Sequence, residues 1–181
     1  MNDMNEEVAS VDSSTYPFLA HATPRPGQLE MIQDGIKALA GGGFHLAAAP
    51  TGIGKTAASL AAALEVAGRS SQKKTVFFLT SRQTQHRIVV DTVRRINQRR
   101  QGMMPVRLVD MVGQAGMCVQ PFAKESPLVF SLLCSQARKT RSCKPWITAA
   151  PGLKERILAS PLHVEELVDN SRTHKVHGQP A

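Results

Sequence analysis

The sequence has no apolar run long enough to cross a bilayer as a helix, which takes about 20 consecutive apolar residues. Residues 1–15 hold no lysine or arginine and carry Asp3, Glu6, Glu7 and Asp12. A secretory signal or a mitochondrial presequence needs positive charge there. The stretch reads as a disordered acidic tail, and the protein is expected inside the cell: in the cytoplasm or nucleoid of a prokaryote, or the nucleus of a eukaryote. Cysteine is scarce, with only Cys118, Cys134 and Cys143. An odd count without a secretion signal argues against a disulfide framework. No internal repeat is present. Acidic residues are almost missing from one long segment. Between Arg69 and Arg107 the only acid is Asp91, against Arg69, Lys73, Lys74, Arg82, Arg87, Arg94, Arg95, Arg99, Arg100 and Arg107.

What is present is a globular composition. The chain has 181 residues, 42% of them hydrophobic, and a net charge of +8. That is enough to bury a core in one domain, or one domain and a subdomain. Cations clustered in one segment suit a polyanion, most simply a nucleic-acid backbone. A solvated helix face is the plainer alternative.

The stretch Ala49-Pro-Thr-Gly-Ile-Gly-Lys-Thr56 fits a phosphate-binding loop with alanine in place of the usual first glycine. Backbone N–H groups and a helix N-terminus would hold the phosphates. The expected nucleotide-binding residues are Thr51, Gly52, Ile53, Gly54, Lys55 and Thr56. Lys55 would reach the β- and γ-phosphates of ATP, and the Thr56 hydroxyl would take one position on Mg²⁺. These two residues are the expected catalytic pair. An ordinary glycine turn before an alanine-rich helix is the bland alternative.

The flanks predict an α/β order. Phe44–Ala49, Thr75–Thr80 and Val106–Asp110 read as strands. Gln28–Ala40, Thr56–Ala67 and Gln83–Arg100 read as helices, with Gly68 stopping the second. Ile88, Val89, Thr92, Val93 and Ile96 are expected inward. Such a βαβαβ run predicts a parallel sheet with right-handed crossovers. Beyond residue 112 only short helical pieces follow, near Pro127–Leu133, Pro151–Ala159 and Val164–Thr173. The expected organisation is a tail over 1–15, an α/β domain over 16–112, and a helical insertion over 113–181.

These motifs in this order resemble the XPD family of iron–sulfur DNA helicases, which includes the FANCJ, RTEL and DinG groups. Tyr16-Pro-Phe18 and Arg25-Pro-Gly-Gln28 look like its Q motif. The Ala-Pro-Thr-Gly opening of the loop is close to the family's own version. Leu79-Thr-Ser-Arg-Gln-Thr-Gln85 looks like its motif Ia, and Gly113-Gln-Ala-Gly-Met-Cys118 like the segment that supplies the first cluster cysteine. The resemblance implies the first RecA-like motor domain, a P-loop parallel sheet, interrupted by an iron–sulfur insertion. It implies ATP-driven 5′ to 3′ translocation on single-stranded DNA and opening of forked duplex DNA, with no membrane partner.

By the same resemblance Gln28 reads adenine, with Arg25 assisting. A side-chain amide can both donate to and accept from the adenine edge. Arg82 and Gln85 contact the DNA backbone. Cys118, Cys134 and Cys143 hold a 4Fe–4S cluster, which commonly takes four thiolates. The fourth cysteine is expected beyond Ala181, so the chain reads as an N-terminal fragment. A zinc site completed by His174 or His177, or three plain buried thiols, are the alternatives. The family's Asp-Glu-x-His motif does not occur, and Asp91, Asp110, Glu165 and Glu166 do not fit it. The alternative function is a non-catalytic nucleotide- or DNA-binding module. A small-molecule kinase is a weaker third.

Overall fold

The computed structural model describes residues 15–147, 152–176 and 179–180. The expectations for residues 1–14, for Pro151 and for His177 lie outside the described residues. The chain divides into two compact units, Met1–Val106 and Arg107–Ala181.

The first unit is built on three helices: α1 (Gln28–Ala40), α2 (Lys55–Arg69) and α3 (Gln83–Arg99). The alanines of α2 explain its central place, because small side chains let neighbours approach from several directions. Ala57, Ala58, Leu60, Ala61 and Ala62 are all buried. Ala58 and Ala61 join Leu19 and Ile32 in one apolar cluster, with Tyr16, Met31 and Ile36 against it. Ala57 joins Ala20 and Ile96 in a second, with Phe18, Leu64 and Val106 alongside. Helices α1 and α2 cross closely at Gly35, where an added Cβ would come 3.0 Å from that of Ala62.

The expected parallel sheet is not there. Residues 44–49, 75–80 and 106–110 follow an irregular, unladdered path. The one ladder among the described residues is a two-stranded antiparallel pair in the second unit. Phe44 and Leu46 are 101% and 99% exposed, and Phe77 and Leu79 are also open to solvent. The strand assignments of these apolar, β-branched runs are therefore corrected: none of the three is a strand. A strand exists only through hydrogen bonds to a neighbour, and these segments do not pair with one another. Val106 is instead held by a side chain. Its N–H donates to Asn97 Oδ1 at 2.8 Å, and its C=O accepts from Asn97 Nδ2 at 3.0 Å. The amide of Asn97 thus takes the place of a ladder partner and docks this segment on α3.

One inward assignment on α3 also changes: Ile88 is exposed at 53%, and Val90, not expected inward, is buried. Gly68 does not stop α2, which runs to Arg69. Its bare Cα lets the Phe18 ring pack close, where a Cβ would sit 3.2 Å from the ring.

The second unit is helical: a 3₁₀ turn over Pro121–Lys124, then α4 (Pro127–Lys139), α5 (Lys144–Ile147), α6 (Leu153–Ala159) and α7 (Val164–Thr173). Strands β1 (Lys175–Val176) and β2 (Gln179–Pro180) follow. Phe130 and Cys134 of α4 are buried, and Phe122 packs on Phe130 with ring centroids 6.0 Å apart. Helix α4 ends in a tight reversal. Arg141 N–H donates to Arg138 O and Ser142 N–H to Ala137 O, with Arg141 itself left-handed at φ 55. This is the hydrogen-bond pattern of a Schellman cap, whose left-handed position usually holds glycine.

Two carboxylates organise the start of α7. Glu166 Oε2 accepts from His163 N–H at 2.8 Å, and buried Asp110 Oδ2 accepts from Val164 N–H at 3.0 Å. Both satisfy donors that a helix start leaves open and place negative charge at the positive dipole end. Asp110→Ala is therefore expected to destabilise the chain by about 1–2 kcal/mol. Asp110→Asn, which keeps an acceptor, should lose less. Urea unfolding of the two variants checks the order. No helix among the described residues is long and apolar enough to cross a membrane.

Candidate functional site: the Ala49–Thr56 loop and its latch

The loop reaches α2 through two left-handed glycines, Gly52 at φ 95 and Gly54 at φ 86. A side chain at either position would be strained. Gly54 is the N-cap of α2, with no side-chain cap bond, and the first turn holds no acid. The N–H groups of Lys55, Thr56 and Ala57 therefore have no acceptor within the helix. A helix start left uncapped and free of negative charge suits an anion.

Lys55 is turned back on the loop. Its Nζ donates to Ala49 O at 2.9 Å and to Pro50 O at 3.0 Å. The ammonium thus spans the loop from its far end to its first residues. An exposed cation on two neutral carbonyls gains modestly, and a phosphate would compete well for it. Thr51 and Gly52 are exposed, while Ile53, Gly54 and Thr56 are half-buried.

A second segment, some 25 residues earlier in the chain, locks the loop. Gln28 is 2% exposed. Its Oε1 accepts from Arg25 N–H at 3.1 Å, and its Nε2 donates to Gly54 O at 3.2 Å. The Arg25 guanidinium donates to Gly52 O. An added Cβ on Gly27 would come 3.1 Å from Ile53 Cδ1. The family resemblance implies that Gln28 reads adenine with Arg25 assisting. It did not anticipate that both would be spent on the loop's own carbonyls. In this conformation the Gln28 amide holds the chain, and adenine contact would require its release.

The expected DNA residues sit at the start of α3. Arg82 is its N-cap, extended and exposed. The Gln85 side chain is held by the Thr80 hydroxyl, which also accepts from Arg82 N–H at 3.3 Å. Arg82 is thus presented to solvent, while Gln85 braces the turn.

The arginines farther along α3, and Arg100 at its C-cap, have other partners. Arg94 pairs with Asp91 at 3.3 Å. Arg95 meets His21 Nε2 at 3.3 Å. Arg99 donates to Leu19 O at 2.8 Å and also to His21 O. The Arg100 guanidinium lies 3.9 Å from the centroid of the Phe18 ring. Burial lowers the pKa of Arg100, and Glu65 opposes that shift. Glu65 Oε2 and Arg100 Nε are buried without hydrogen-bond partners, a local cost accepted in holding Phe18. Partial burial, then Arg95, Arg25 and Arg99, lower the pKa of His21. Four cations counted toward a polyanion face thus bind the chain itself. Lys73, Lys74, Arg82, Arg87 and Arg107 are exposed.

The three cysteines differ in burial and in their contacts. Cys134 is buried and Cys118 and Cys143 are half-buried. Cys134 Sγ takes Gln114 Nε2 at 3.6 Å, and Cys143 Sγ takes Gln120 Nε2 at 3.9 Å. Among the described residues no three metal-ligating side chains gather at one point. No chemical step is assigned to a cluster. Compared with protein-family models, with curated proteins and with solved structures, the chain matches none of them.

Proposed function

We propose that this chain binds a nucleoside triphosphate with Mg²⁺ through Thr51–Thr56, and single-stranded DNA at Arg82, as part of an ATP-dependent 5′ to 3′ DNA helicase. One observation carries the nucleotide reading. Lys55 closes back on Ala49 O and Pro50 O over a helix start that has neither a cap nor an acid. A phosphate held by the first N–H groups of α2 would replace the two carbonyls on the ammonium. The ordered motifs from Tyr16 to Gln85 support the helicase assignment.

Hydrolysis needs an acid to hold Mg²⁺ and a group to orient water. The chain has no Asp-Glu-x-His motif, so the property expected of it by itself is binding without turnover. That favours, for this chain alone, the behaviour of a non-catalytic module. The test is titration with a fluorescent ATP analogue, with and without Mg²⁺. Lys55→Ala should weaken binding by about ten- to a hundred-fold, the equivalent of one charge-assisted hydrogen bond. Unchanged affinity would sink the nucleotide reading. Sustained ATP turnover by the unmodified chain would overturn the claim that it binds only.

A further inference from the structure

The second unit carries a feature that the phosphate loop does not use. Trp146, the only tryptophan of the chain, is 63% exposed. An indole is usually well buried, because it offers more apolar surface than any other side chain. Here the Arg138 guanidinium sits 4.9 Å from the ring centroid and most of the ring remains open. From Ser126 to Ile147 the sequence has Arg138, Lys139, Arg141 and Lys144 and no aspartate or glutamate. Lys139, Arg141 and Lys144 are all exposed.

Arg141 adds an independent point. It takes the left-handed position of the α4 cap, at φ 55, where glycine would sit without strain. The fold therefore tolerates a strained residue whose side chain is a cation, next to the exposed indole segment. Strained positions of this kind gather at functional sites.

We propose that Trp146, with Arg138, Lys139 and Arg141, forms a platform for single-stranded nucleic acid. A base stacks on the open indole and the cations take the adjoining phosphates. Stacking with flanking positive charge is how sequence-tolerant single-strand sites work. An acidic peptide would satisfy the charges but would leave the ring unused. The platform lies in the second unit and does not depend on nucleotide binding at Lys55.

The experiment uses the full chain and an oligothymidylate of about 12 nucleotides, within the usual range of site sizes. Trp146 fluorescence should be quenched on binding, and a polyglutamate of similar charge should quench it far less. Binding of a labelled oligonucleotide should weaken by about five- to a hundred-fold in Trp146→Ala. Trp146→Phe should recover most of that loss. Arg141→Gly separates binding from folding. It should raise the Tm, since glycine suits the left-handed position, yet weaken binding and reduce the salt slope by about 0.7. Absence of quenching, equal response to polyglutamate, or unchanged affinity in Arg141→Gly would each overturn the proposal.

Discussion

Gly54→Ala should both destabilise the chain and abolish nucleotide binding. The residue sits at φ 86, where a Cβ is strained by about 1–2 kcal/mol. That Cβ would also stand 2.6 Å from Gln28 Nε2, too close to persist. The Gln28 amide is buried and bonded to Arg25 N–H and Gly54 O, so pushing it aside adds about 1–3 kcal/mol for polar groups left unmatched. The total, about 2–5 kcal/mol, is a large part of the 5–15 kcal/mol typical of a domain. Combining Gly54→Ala with Gln28→Ala removes the collision, so the two losses should add to less than their sum. Urea unfolding gives the cycle, and ATP-analogue titration at a temperature where the variants remain folded gives the binding loss. A Gly54→Ala chain as stable and as competent as the parent would mean that the latch does not shape the loop.

Arg99→Ala should behave as a folding defect and not as a DNA-binding defect. Its guanidinium donates to Leu19 O and His21 O, and Leu19 is part of the first unit's core. Hydrogen bonds from a charged donor contribute about 1.5–3 kcal/mol each. Losing both should cost about 2–4 kcal/mol after solvent compensates the more open contact. The segment carrying Tyr16, Phe18 and His21 would then loosen from α3. Arg82→Ala is the contrast. That side chain is exposed at the start of α3, so its loss should leave stability within about 0.5 kcal/mol. It should reduce the salt slope of single-strand binding by about 0.7. If Arg99→Ala kept full stability and lost only DNA binding, the α3 arginines would have to be returned to the polyanion face.

Read along the chain, the basic segment does not tell which of its cations the fold itself engages. Ten cations and one acid between Arg69 and Arg107 look like one electrostatic surface. In the fold Arg95, Arg99 and Arg100 reach a segment some 80 residues away. No local pattern reports such a contact, because carbonyls and ring faces occur at every position. Gln28 is similar. The resemblance gives it an adenine-reading role, but its partners in the fold are Arg25 N–H and Gly54 O.

The sequence by itself determined where most helices lie. Spacing of apolar residues placed α1 at the ends observed, and a short helix is expected near Val164–Thr173, where α7 runs. Helix α4 extends past the expected Leu133 to Lys139, and α5 is not expected from the sequence. The glycines at 52 and 54 mark the turn into α2. These are local properties: helical periodicity, uncapped N–H groups and left-handed backbone are set within a few residues. Tertiary structure alone decided whether the extended runs became strands. Phe44–Ala49 and Thr75–Thr80 have strand composition, yet they have no ladder with each other. A helix satisfies its own backbone, whereas a strand depends on a partner at a distance in sequence. Tertiary structure also gave Arg95, Arg99 and Arg100 partners in the segment around Phe18–His21. Composition fixes how many such groups exist, and only the folded path fixes what each one meets.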